Sequence, residues 1–64
     1  MVAERKQDRV ARWEKRVEEA PDSAPAHYNL GLAHTERGRM MAAEKAYRRA
    51  VELDPDLVQA WVNL

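Results

Sequence analysis

Sixty-four residues of 7.4 kDa with a formal net charge of zero bound one small domain. A chain this short buries only about 60% of its unfolded surface, and without Cys it has neither a disulfide nor a thiolate zinc site to staple it. Eleven Lys+Arg balanced by eleven Asp+Glu argue against a dedicated nucleic-acid or anionic-membrane binder, because phosphate neutralisation needs a clustered excess of cations.

Residues 3–19 are strongly charged and favour helix. The opening Met1-Val2-Ala3-Glu4-Arg5-Lys6 lacks the apolar stretch of a secretory leader. No run approaches the roughly eighteen apolar residues of a membrane span, so a soluble, cytoplasmic chain is expected. Val10, Trp13 and Val17 recur at i, i+3, i+7, a narrow stripe that predicts a solvated helix with one seam on a neighbour. A coiled-coil strand is the alternative, with Ala3, Val10 and Val17 on one seam position and Trp13 and Ala20 on the other. Lys6 falls on that second position too, and the run is shorter than three clean heptads.

Ala20-Pro21-Asp22-Ser23 forms a turn, and Ser23 is a good N-cap. A second helix is predicted over 25–37, with Pro25 in its first turn and Gly38 able to take the left-handed conformation that ends it. A third is predicted over 40–53. The connection of one or two residues forces these two helices antiparallel and adjacent. Asp54-Pro55 stops the third helix. Asp56 with Gln59 resembles a capping box that opens a fourth, carrying Ala60, Trp61 and Leu64. Two turns of helix cannot hold themselves together in water.

Sliding the sequence by thirty-four residues pairs Pro21 with Pro55, Asp22 with Asp56, Ala26 with Ala60, Asn29 with Asn63 and Leu30 with Leu64. His27 falls on Trp61. The spacing His27-x₂-Leu30-Gly31-x₂-His34, then Ala43-x₃-Tyr47, then Pro55 resembles the tetratricopeptide repeat, whose period is thirty-four. Ala50 stands at a further small-residue position, and Ala-Val-Glu-Leu-Asp-Pro at 50–55 resembles the family's close. His27 and His34 depart from the pattern, standing where it has aromatics. Residues 24–57 thus look like one complete repeat, and 58–64 like the truncated start of the next. Residues 1–20 read as a capping helix or the remnant of a preceding repeat. Trp13 would hold its aromatic position and Pro21 its closing proline, but Arg9 and Arg16 stand where Ala is expected. The resemblance implies an all-α fold, a helical hairpin with a preceding helix and a truncated following one.

At 100° per residue, His27, Leu30, Gly31 and His34 share one face of the second helix. Met40, Ala43, Ala46, Tyr47 and Ala50 share one face of the third, and Met40 is expected in the core. The packing signature is therefore Leu30, Gly31, Ala43, Tyr47 and Ala50, closed by Pro55. Gly31 in mid-helix costs about 1 kcal/mol against Ala, so a side chain, Tyr47, is expected to lie against it. Met41 is expected on the surface as a soft contact for a partner.

No catalytic constellation emerges. His27 and His34 share a face but lie about 10.5 Å apart along the axis, too far for one metal ion. Asp54 and Asp56 are explained as turn and cap residues, and no Gly-rich phosphate loop exists. Ser23 and Thr35 sit in no nucleophile arrangement. No enzyme, cofactor or metal site is expected. Lys45, Arg48, Arg49 and Glu52 read as a solvated outer face, without the interleaved aromatics of a nucleic-acid binder.

Pro25, Tyr28, Asn29, Leu32, Thr35 and Glu36 form a stripe roughly opposite the packing face. The resemblance implies that this side of the helix lines a concave groove for peptide partners, joined by Gln59, Val62 and Asn63. Apolar Tyr28 and Leu32 amid polar neighbours suit a binding surface. Asn29 and Asn63 resemble the asparagine ladder of the O-GlcNAc transferase repeats, and an amide both donates to and accepts from a peptide bond. Tyr28 stands where a carboxylate-clamp Lys would be. The expected function is a non-enzymatic interaction module for a protein or peptide partner, with no nucleic acid and no membrane. The alternatives are a homo-oligomer joined through helices 1–19 and 56–64, and a region accessory to a catalytic domain outside this chain.

Overall fold

The computed structural model describes residues 6–63, with side chains from Arg9 onward. Its four helices are α1 (Lys6–Glu19), α2 (Ala24–Glu36), α3 (Met40–Leu53) and α4 (Val58–Asn63). Among the described residues there is no strand, and no helix is long and apolar enough to cross a membrane. Ala3 and Leu64, which the sequence placed on helical seams, lie outside the described residues.

Local chemistry sets each boundary. Ser23 is extended (φ −86°, ψ 106°), and its hydroxyl accepts from the Ala26 N–H at 3.2 Å, while Pro25 occupies the first turn. Gly38 has φ +76°, the left-handed region, and lets the Gly38 and Arg39 N–H groups reach back to Thr35 and His34 carbonyls, both at 2.9 Å. Asp54 leaves helical geometry ahead of Pro55, and its N–H closes the last turn of α3 on Ala50 O at 2.9 Å.

The fourth helix corrects one expectation. Asp56 and Gln59 do not form a capping box. The Asp54 carboxylate accepts the Asp56 N–H at 3.0 Å, and α4 begins only at Val58. Leu57 stands where Ser23 stands one repeat earlier and has no side-chain oxygen to offer α4.

The hairpin α2–α3 is the centre, with α1 packed on α2 and α4 packed on α3. Val10 is buried and Trp13 and Val17 half-buried, so the predicted stripe of α1 is its seam on α2 within the same chain, as a single packed helix rather than a coiled-coil strand. The core gathers Ala43, Tyr47, Ala50, Val51 and Ala60, with Tyr28, Leu32 and Leu57 against it. Ala50 and Ala60 are wholly inaccessible, which is how a six-residue α4 holds its place: a methyl group admits close backbone approach.

Met40 is the second correction. It is 58% exposed, not core. It starts α3 at the edge of the hairpin, beside the depression that it lines with Leu32 and Asn63. Met41 is on the surface at 86% exposure, as expected.

Candidate peptide-binding groove

Tyr47 organises the site from below. A Cβ placed on Gly31 would lie 2.5 Å from Tyr47 Cε1, so the glycine is the slot that admits the ring. Thr35 donates its hydroxyl proton to Gly31 O at 2.9 Å, one helical turn back. That leaves the Tyr47 phenol as donor to Thr35 Oγ1 at 3.1 Å. Tyr28 packs on Tyr47 with ring centroids 5.8 Å apart and a 44° tilt. Asn63 of α4 donates to the Tyr28 hydroxyl at a long 3.4 Å.

The predicted stripe is divided between two depressions, one on each side of α2. Leu32, Thr35 and Asn63 meet in a depression of about 380 Å³ beside α3, with Met40, Met41 and Tyr47. Asn29 belongs to another, of about 320 Å³ between α1 and α2, with Trp13, Arg16 and Pro25. The Arg16 guanidinium lies 5.8 Å from the Trp13 ring centroid. Glu36 lines neither: its two carboxylate oxygens take Arg9 Nη1 at 2.9 and 3.0 Å, tying the end of α2 to α1. Tyr28 is half-buried between the core and α4. Sequence reasoning missed Trp13, Arg16 and Met40 as lining residues. Angular position on one helix does not reveal which neighbouring helix supplies the opposite wall.

The two histidines are buried at 9% and 8% exposure. His27 Nε2 donates to Pro21 O at 2.9 Å. Thirty-four residues on, Trp61 Nε1 donates to Pro55 O at 2.8 Å. The imidazole therefore reproduces the indole bond to the turn proline, which is why it is accepted at an aromatic position. Among the described residues no three His, Cys, Asp or Glu side chains gather to hold a metal.

His34 Nδ1 is buried without a hydrogen-bond partner. Burial holds this imidazole below its ordinary value of 6.5, with Glu14 opposing that shift and Arg39 adding to it. The unfolded chain therefore takes up the proton first as pH falls. The contribution of neutral His34 is complete above about pH 6.5 and is lost as pH drops through its lowered folded value. Urea midpoints at about pH 7.5 and about pH 5.5 should diverge in the native chain, and less so in His34→Phe. Equal divergence in both would refute the assignment.

Repeated turns, a glycine slot for an aromatic and an antiparallel helix pair define a helical-repeat protein. The chain belongs to the tetratricopeptide repeat family, whose model matches residues 24–57. Repeats of this family generally bind protein partners. The photosystem I assembly protein Ycf3 of Cyanophora paradoxa is 40% identical over 50 residues, which cover 77% of this chain and 29% of that protein. The chain thus spans less than a third of that relative's length. No solved structure shows a significant match to the chain.

Proposed function

We propose that this chain is a non-catalytic interaction module that holds an extended peptide or helix of a partner protein across α2. The observation that carries this reading is the depression beside α3: an apolar lining of Leu32, Met40 and Met41 over the buried Ala43 and Tyr47, with the Asn63 amide beside it. Flexible methionine side chains adapt to a partner, and an amide pairs with peptide groups regardless of sequence. Tyr28, Leu32 and Asn63 are the contacts on that side, with Asn29 reaching the partner on the side of Trp13. Thr35 acts by fixing Tyr47, and Glu36 by anchoring α1 at the edge of the groove. The likeness to an assembly protein supports a partner that is a protein subunit held, not a substrate turned over.

A peptide-array screen followed by titration of the best peptide tests this. Leu32→Ala and Asn29→Ala should each weaken binding about tenfold, the loss of roughly one good contact. Absence of any binding peptide, or binding indifferent to both changes, would refute the groove.

A further inference from the structure

Two surfaces away from the groove complement each other. The first is a cleft of about 450 Å³ on the outer side of the α2–α3 hairpin. Its floor is Leu30, Ala42 and Ala46 with the buried His27 and His34. Its rim carries Lys45, Arg48 and Arg49 against one carboxylate, Glu52. Arg48 pairs with Glu44 at 3.0 Å and Arg49 with Glu52 at 3.1 Å, whereas Lys45 has no ion-pair partner among the described residues.

The second surface is the outer face of α4. Val58, Trp61 and Val62 recur at i, i+3, i+4, on one side, and are 64%, 53% and 76% exposed. Ala60, on the opposite side, is wholly buried. The Trp61 indole is held ready by its bond to Pro55 O, a carbonyl flanked by the carboxylates of Asp54 and Asp56. His27, its counterpart one repeat earlier, is only 9% exposed. The α4 face is therefore an apolar patch with a preset aromatic anchor and an acidic margin. Such anchors dominate interfaces when they enter an apolar pocket with charges of opposite sign at the rim.

We propose that the occupant of the cleft is a second copy of this chain, with Trp61 of one molecule seated on Leu30 and Ala46 of the next. Asp56 then faces Lys45. The inference is independent of the groove, which Leu32, Met40, Met41 and Asn63 line; Val62, expected there from the sequence, is not among its lining residues. Because the two patches differ, the contact does not close on itself, and it propagates head to tail.

Sedimentation velocity on the 64-residue chain over a dilution series at low salt reads the association directly. The native chain should grow with concentration and dissociate as salt is raised. Trp61→Ala, Lys45→Glu and Asp56→Lys should each weaken association about tenfold. Mixing Lys45→Glu with Asp56→Lys should restore it, since each reversed charge then meets its opposite. Leu32→Ala, in the groove, should leave it unchanged. All four positions are at least partly exposed, and far-UV circular dichroism checks that helix is retained in each variant. A native chain monomeric at every concentration overturns the proposal. So does association that any one of the three changes leaves unweakened, that fails to return on mixing, or that is lost in Leu32→Ala.

Discussion

Replacing Tyr47 by alanine should leave the chain without a cooperative fold. The phenol ring is 2% exposed and is the largest fully buried side chain of the described residues. It touches three elements at once: Gly31 and Tyr28 of α2, its own neighbours on α3, and the cluster that receives Ala60 of α4. Truncating a buried aromatic to Ala costs about 3–5 kcal/mol, because transfer energy is lost and a cavity remains. A core in a chain this short rarely supplies more than about 3–5 kcal/mol in total. The two figures are comparable, so urea denaturation of Tyr47→Ala should show no folded baseline at 25 °C. Tyr47→Phe separates the ring from its hydroxyl. It forfeits the bond to Thr35 Oγ1 and should cost about 1 kcal/mol with the transition intact. If Tyr47→Ala unfolds cooperatively with a loss near that of Tyr47→Phe, the ring is not the keystone of the fold.

The residues that made this ring predictable are those whose spacing is dictated by backbone approach. Gly31 pays a helix penalty that only a close neighbour justifies, and the facing stripes of the two hairpin helices put Tyr47 opposite it. Ser23, Pro25 and Gly38 were legible for the same reason: each supplies a local backbone requirement that few residue types meet. Met40 was not legible. Its angular position on α3 matches the core, but that angle does not reveal that the start of α3 lies at the edge of the hairpin, where Met40 is 58% exposed. The capping box failed because the Gln59 amide oxygen would have to accept the Asp56 N–H, and the Asp54 carboxylate takes that N–H instead.

The candidate groove shows the same division. One helical stripe was read as one surface, and α1 and α3 split it: Asn29 faces Trp13, while Leu32 and Thr35 face Met40 and Met41. Thr35 is the instructive case. As an exposed residue on the stripe it resembles a partner contact, but its hydroxyl is engaged by Gly31 O and the Tyr47 phenol. Substituting it would disturb the core and the groove together, so Leu32 and Asn29 are the cleaner probes of binding.

Substitution of Gly31 tests the slot itself, and its sign is opposite to the one helix propensity gives. In an open helix, Gly→Ala stabilises by about 1 kcal/mol. Here a Cβ would fall 2.5, 2.6 and 2.9 Å from Cε1, Cδ1 and Cζ of Tyr47, well inside contact distance. The ring cannot retreat, because it is enclosed by Tyr28 and tethered to Thr35. Gly31→Leu should therefore destabilise by about 1–3 kcal/mol through overpacking, with Gly31→Ala changing stability in the same direction by less. Gly38 is the contrast. A Cβ there would meet nothing within 4 Å, so any cost of Gly38→Ala comes from φ +76° alone. A double-mutant cycle completes the test. With Tyr47→Leu the ring atoms are gone, and Gly31→Ala should become neutral or stabilising by up to about 1 kcal/mol. Urea midpoints for the four chains, measured in a stabilising osmolyte so that all are folded, give the coupling. A Gly31→Ala effect that is the same with and without the Tyr47 ring would mean that the glycine is tolerated, not required.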